Sequence, residues 1–138
     1  MSEEQPIIED IIKFSIAGRF RSVKCALAGV FTMLRYEHNA WIHALATLCV
    51  SVLGYCVHLD RSEWCWIIIA ILTVWAAEAL NTAFEFLADV AVPDFHPTVE
   101  KAKDVAAGAV LIASIGSVII GTLILGPHVR LMFATLLR

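Results

Sequence analysis

The chain has 138 residues and a formal net charge of -3, which at roughly 100–200 residues per domain leaves room for one domain, residues 1–138, and excludes a multi-domain enzyme with its own nucleotide-binding lobe. Apolar residues make up 59% and charged residues 17%, against about 45–50% and 25% in soluble chains; mean hydropathy is +0.78. These values exclude an ordinary water-soluble core and point to an all-α chain embedded in a bilayer.

A disulfide scaffold is excluded too. Cys25, Cys49, Cys56 and Cys65 are spaced 24, 7 and 9 apart, without a CxxC pair or a zinc-site Cys/His pattern. Three of them lie in or beside apolar runs, and most read as packing residues. The first dozen residues, MSEEQPIIEDII, carry four acidic groups and no basic one, the reverse of the cationic start of a cleaved signal peptide, so no removed targeting segment is predicted.

Residues 7–35 mix aliphatic and aromatic residues with five basic ones and are too charged to cross a membrane. Apolar positions at Ile12, Ile16, Phe20, Val23, Leu27, Val30, Phe31 and Leu34 advance in steps mostly of three and four. That period predicts an amphipathic helix lying at the membrane surface, basic side to the headgroups, with a soluble-protein core helix as the alternative.

Three apolar runs follow. Residues 40–57 contain only His43 as an ionisable group and lead into the turn-like HLDRSE of His58 to Glu63. A second run covers 64–90, passing from WIIIAILTVWAA into the polar-spotted EALNTAFEFLADV before Pro93 breaks it. A third, 105–125, has no charge and is predicted to stop at Gly126-Pro127. Each matches the ~20 residues needed to cross ~30 Å of hydrocarbon. Lys13, Arg19, Arg21, Lys24, Arg35, Lys101 and Lys103 flank one side of these spans, against Arg61, Arg130 and Arg138 on the other. The seven-to-three bias predicts a cytoplasmic N-terminus. Within the third span Ala109, Ala113, Ser117 and Gly121 repeat every four residues, a ladder that lets another helix approach closely, within the chain or between chains.

The chemistry sits in Glu78-Ala-Leu-Asn81-Thr-Ala-Phe-Glu85-Phe-Leu-Ala-Asp89. At ~100° per residue, Glu78, Asn81, Glu85 and Asp89 fall within one narrow stripe. Carboxylates at membrane depth cost several kcal/mol each unless paired, metal-bound or hydrated. A bound cation or protonation is therefore predicted. Glu37, just before the first span, reaches the depth of Glu85 if the two helices are antiparallel neighbours. Together they offer Mg²⁺ the one or two carboxylates it takes beside phosphate oxygens. Lys103, next to Asp104, offers a point charge to phosphate, or else snorkels at a helix end. Glu78 lies deeper, where an apolar setting fits it to accept a proton from a hydroxyl. The arrangement suits phosphoryl transfer to an alcohol in the bilayer. Gly18 and Gly29 belong to no Gly-rich run, so a nucleotide must bind without a P-loop.

EALNTAFEFLADV, the linker VPDFHP and EKAKDVAAGAVL together resemble the bacterial integral-membrane diacylglycerol kinase and undecaprenol kinase family, over about residues 19–125. The E-x-x-N-T-A-x-E-x-x-x-D and A-K-D-x-A-A-x-A-V motifs carry the likeness; Phe84 replaces a usual aliphatic residue. The resemblance implies an ATP- and Mg²⁺-dependent homotrimer in the bacterial cytoplasmic membrane, each subunit with a surface helix and three spans. It implies Glu78 as catalytic base and Glu37 and Glu85 as metal ligands. Glu37, Asn81, Glu85, Asp89, Asp94, Phe95, His96, Lys103 and Asp104 would form the nucleotide site. Arg19 or Arg21 would supply the surface helix's arginine, with Arg19 set on the nucleotide and Arg21, Trp41 and His43 with Glu78 on the lipid. RYEHNAWIH and the HP of the linker look more like the undecaprenol kinase branch. No nucleic-acid partner is implied.

Two other readings remain open from the residues alone. A cation- or proton-coupled transporter would use the membrane carboxylate Glu78 without nucleotide, but leaves the Glu37 and Lys103-Asp104 cluster at one face without a purpose. A non-enzymatic packing subunit leaves the whole polar stripe unexplained.

Overall fold

A computed structural model describes residues 16–136. The acidic start, Lys13, the first part of the predicted surface helix and Arg138 lie outside the described residues. The described residues form four helices and no strand: α1 (Ile16–Tyr36), α2 (His38–Cys56), α3 (Arg61–Ala91) and α4 (Pro97–Leu136). Three of them, α2, α3 and α4, are long and apolar enough to cross a membrane. The chain is an all-helical membrane protein. It divides into two compact units, Met1–Thr32 and Met33–Arg138.

The described part of the predicted surface helix is helical, as α1, which begins in the first unit. Ile16, Phe20, Val23, Leu27, Val30 and Phe31 are exposed large apolar side chains, and Arg19, Arg21 and Lys24 are exposed as well. Ser22 and Thr32 donate their hydroxyls to the carbonyls of Gly18 and Ala28, 3.0 and 2.9 Å away. Such back-bonding keeps small polar side chains compatible with a helix interior.

In the second unit, α2 begins after a single extended residue, Glu37 (φ -104°, ψ 118°), whose N–H still reaches the Met33 carbonyl at 2.9 Å. The other end of α2 closes on a Schellman turn. His58 N–H bonds the Tyr55 carbonyl at 3.2 Å and Leu59 N–H the Gly54 carbonyl at 3.1 Å, with His58 in the left-handed region at φ 57°. This is the position that glycine usually fills. Leu59 then packs into a small core with Ile67 and Leu125, flanked by Leu53 and Trp64.

The segment read as a turn, HLDRSE, already contains the start of α3. Asp60 is its N-cap: Asp60 Oδ1 accepts from Ser62 N at 2.7 Å and Glu63 N at 2.9 Å, and Glu63 Oε2 accepts from Asp60 N at 2.9 Å. This reciprocal box satisfies amide groups that the first helical turn leaves unpaired. The first span is close to that read from the sequence; the second gains Arg61–Glu63 and the third begins at Pro97.

The predicted stop at Gly126-Pro127 is not observed, since α4 runs through Pro127 to Leu136. Proline removes one N–H and crowds the carbonyl four residues before it, but neighbouring helices stabilise such interruptions in apolar surroundings. Here both flanks are held, Leu125 in the core and His128 by a hydrogen bond of 2.8 Å between its Nε2 and Glu63 Oε1.

α3 packs chiefly against α4 and less against α2. Ser117 donates its hydroxyl to the Ala70 carbonyl at 2.9 Å, so the small-residue ladder is used within the chain at that rung. Trp75 Nε1 donates to Thr47 Oγ1 at 3.1 Å across α2 and α3. The four cysteines, most of them read as packing residues, are free and exposed in the single chain. Three helices enclose little volume, and only nine apolar side chains are buried among the described residues, which leaves the cysteines on faces turned to lipid or to other chains.

Candidate active site

α3 spans 31 residues, about 46 Å at ~1.5 Å per residue, and exceeds the ~30 Å of hydrocarbon. Its last turns therefore extend into the interfacial zone. The polar stripe occupies that half, and its members differ in burial as their depths require. Glu78 is 0% exposed and Asn81 6%, Glu85 is half-buried and Asp89 exposed.

Local bonds hold the stripe in order. Thr82 Oγ1 donates to the Glu78 carbonyl at 2.9 Å, and Asn81 Nδ2 donates to Glu85 Oε1 at 3.0 Å, as the four-residue spacing allows. Lys103 of α4 bonds Asp89 directly. The lysine read as a charge for phosphate thus rests on a carboxylate of the stripe. Neither oxygen of Glu78 has a hydrogen-bond partner among the described residues, and neither does the buried Oδ1 of Asn81. On α2, His43 places its Nε2 3.8 Å from Glu78 Oε2, beyond hydrogen-bonding distance. Buried acceptors without partners are rare and mark a place where something else is meant to bind.

Glu37 comes to the same end of the unit through its neighbours. Tyr36 meets Phe86 edge to face, with ring centroids 5.8 Å apart, which brings the junction before α2 alongside the end of α3. Burial pushes the Glu37 carboxyl above its ordinary range, and repulsion from Glu85 adds to this, while His38 acts the other way. Glu37 and Glu85 are likewise the charges acting on Glu78. Three carboxylates thus share one electrostatic environment.

Two cavities flank this group. The first, about 220 Å³, is lined by Asn39, His43, Glu78, Asn81 and Ser114 among others. The second, about 310 Å³, is lined by Asp89, Asp94, Phe95, His96, Glu100 and Lys103 among others. Glu85 lies one helical turn from Asn81 and one from Asp89, between the two. The second cavity exists because the α3–α4 linker is short and tightly ended. His96 caps α4, its carbonyl accepting from Val99 N and Glu100 N at 2.9 and 3.1 Å and its Nδ1 from Thr98 N at 3.2 Å. Pro97 occupies the first helical position, where no N–H is needed.

Of the residues singled out from sequence, the structure gathers Glu78, Asn81 and His43 at the first cavity and Asp89, Asp94, Phe95, His96 and Lys103 at the second. Asp104 is exposed and Trp41 is 65% exposed; neither lines either of these two cavities. Arg19 and Arg21 are exposed on α1 and belong to the first unit. Asn39 and Ser114 were missed. Ser114 was legible as a serine one turn before Ser117 on the ladder helix, and Asn39 as the one neutral amide in RYEHNAWIH.

Among the described residues no three His, Cys, Asp or Glu side chains converge as a metal cage. Glu37 and Glu85 are hard oxygen donors, and Mg²⁺ characteristically takes one or two such carboxylates with water and phosphate oxygens. The donor set therefore fits an ion that arrives with a polyphosphate.

The family model for prokaryotic diacylglycerol kinase matches residues 24–125. The chain is 39% identical to an undecaprenol kinase of Bacillus subtilis over 108 residues, 78% of this chain and 88% of that protein. It is 35% identical to a diacylglycerol kinase of Synechocystis over 113 residues, 80% of this chain and 65% of that one. These matches decide for the kinase over the transporter and the packing subunit. The chain belongs to the prokaryotic diacylglycerol kinase family and is a membrane lipid kinase.

Proposed function

We propose that the chain transfers the terminal phosphoryl group of ATP, in a Mg²⁺-dependent reaction, to the hydroxyl of undecaprenol or diacylglycerol. It does so as a homotrimer at the cytoplasmic face of a bacterial inner membrane, with its N-terminus in the cytoplasm. The observation that carries this reading is the buried Glu78 carboxylate, without a hydrogen-bond partner among the described residues and under the electrostatic influence of Glu37 and Glu85.

Glu78 Oε2 or Oε1 accepts the proton of the lipid hydroxyl as that oxygen bonds to the γ-phosphorus and the bond from phosphorus to the ADP oxygen breaks. Positioning and charge stabilisation supply most of the acceleration in such transfers. Glu37 and Glu85 would hold Mg²⁺, which would neutralise polyphosphate charge. Asn81 fixes the Glu85 carboxylate through its 3.0 Å bond and keeps Oδ1 for the same site. Lys103, steadied by Asp89, and Asp104 complete the phosphate end. Asp94, Phe95 and His96 take the nucleoside, with Phe95 77% exposed and able to stack on a base. By the family resemblance Arg19 is assigned to the nucleotide, and Arg21, Trp41 and His43 to the lipid.

The trimer rests on the family to which the chain belongs, and the orientation on the flanking basic residues. Glu37→Gln and Glu85→Gln test the metal assignment. Each is expected to raise the Mg²⁺ concentration for half-maximal rate by about tenfold or more, in line with the loss of a ligand or its partner. Unchanged Mg²⁺ dependence in both removes them from that role.

A further inference from the structure

Transfer of a phosphoryl group from ATP to an alcohol leaves one proton over. The lipid oxygen gains a bond to phosphorus, and the bond from phosphorus to the ADP oxygen breaks. The hydroxyl proton then belongs to neither product, because phosphates with a second pKa of ~6 are ionised at neutral pH. A base that takes this proton has to lose it before the next turnover. Glu78 is 0% exposed, so its proton needs a route out.

The cavity beside Glu78 offers few groups for that step. Asn81 presents an amide, which does not titrate, and its Nδ2 is engaged with Glu85. Glu37 and Glu85 are assigned to the metal, and a metal ligand has to stay deprotonated. α4 sends Ser114 and apolar side chains into the cavity, and no titratable group. From α2 come Asn39, Ile42 and His43. The imidazole changes its charge between pH 5 and 8. Its Nε2 lies 3.8 Å from Glu78 Oε2, about 1 Å beyond a hydrogen bond, a gap of the kind that closes when a catalytic complex forms. Asn39 stands one helical turn before His43, lines the same cavity and is exposed in the single chain. The cavity therefore leads from the buried carboxyl past the imidazole to the surface.

We propose that His43 regenerates Glu78 after each transfer, its neutral imidazole taking the proton from the carboxyl and releasing it to water at the Asn39 end of the cavity. The proposal rests on the reading of Glu78 as the base. Atoms and charge balance: carboxylic acid and neutral imidazole become carboxylate and imidazolium, and the imidazolium returns to neutrality by giving its proton to water. The tautomer required carries its proton on Nδ1 and leaves Nε2 free to accept. His43 acts through Glu78 and not on phosphorus, which makes it a positioning residue. The relay runs on the neutral ring and is off once His43 is protonated. The unaltered chain thus loses this help as pH falls from 8 to 5, whereas His43→Gln lacks it throughout.

The full chain in lipid nanodiscs, with γ-labelled ATP, Mg²⁺ and undecaprenol, is compared with His43→Gln and Glu78→Gln across that range. The readout is the ratio of kcat between the unaltered chain and His43→Gln, since ionisation of ATP, Glu37 and Glu85 enters both chains alike. The ratio is expected to reach about 10² at pH 8, the lower end of general acid–base contributions, and to approach one at pH 5. At pH 8 His43→Gln is expected to label one lipid per chain at the unaltered rate and then to slow, because its first turnover starts from an ionised Glu78. The contact at 3.8 Å is no hydrogen bond to lose, so the melting temperature is expected to hold. A ratio equal at both pH values makes His43 a packing residue and overturns the proposal. A ratio greatest at pH 5 makes it a fixed cation beside Glu78 and overturns it as well. So does a first turnover slowed as much as the later ones, which is the mark of a residue that only places the lipid. In each of these cases an inactive Glu78→Gln leaves the base standing. Turnover by Glu78→Gln removes the base, and the relay with it.

Discussion

Glu78→Gln replaces a buried carboxylate by an amide of the same shape, and the structure separates its effect on rate from its effect on stability. The carboxylate has no hydrogen bond to lose, and the substitution removes a buried charge that Glu37 and Glu85 repel. Against this, the new amide N–H groups cost about 1–3 kcal/mol if they stay unpaired. The opposing effects are of similar size, so stability is expected to change by no more than about 1 kcal/mol. The rate is another matter. Loss of a general base lowers turnover by about 10²–10⁴-fold, or ~2.7–5.4 kcal/mol of transition-state stabilisation. The assay is the initial rate of label transfer from ATP to extracted lipid, read beside a thermal melt in the same detergent. A rate within tenfold of the unaltered chain removes Glu78 from the base role. A collapse of the melting temperature contradicts the claim that Glu78 contributes no stabilising bond.

Other positions yield further tests. A Cβ on Gly54 would lie 2.9 Å from Leu59 Cδ1 and 3.1 Å from the Trp64 ring; overpacking costs ~1–3 kcal/mol against ~1 gained in helix propensity. Gly54→Ala should therefore destabilise by about 1 kcal/mol in a denaturation series, and a rise in stability would refute the close approach. His58→Gly relieves a left-handed residue and is expected to stabilise by roughly 1 kcal/mol in the same series. Glu37 should titrate above 4.5 by carboxyl ¹³C NMR, so its ionisation works against the folded state as pH rises through that range. Glu85→Gln lowers the midpoint by removing repulsion; an unmoved midpoint would show that the two carboxylates do not interact.

The spans were legible because a bilayer demands unbroken apolar helices, and 40–57 and 64–90 carry that signature in composition alone. The start of α3 was legible too, since Asp60-x-x-Glu63 is a capping box, but it was read as a turn. The end of α4 was not. The stop rule for Gly126-Pro127 weighs local backbone only, and what holds the helix beyond it is Glu63, 65 residues away in sequence. In the site, the stripe from Glu78 to Asp89 followed from ~100° per residue. The approach of His43 to Glu78 and the bond of Lys103 to Asp89 depend on how helices are set against one another, which periodicity within one helix does not encode. The second cavity, by contrast, lies in a linker whose Pro93 and Pro97 announced the break.

The most direct measurement is phosphoryl transfer itself: purified full-length chain in nanodiscs with γ-labelled ATP and undecaprenol, assayed with Mg²⁺ and again after its chelation. Label is expected on the lipid hydroxyl with the metal present, and none above background once it is removed. Transfer that survives chelation, or an unlabelled lipid under both conditions, would contradict the convergence of Glu37, Glu78 and Glu85 on a metal-bound nucleotide.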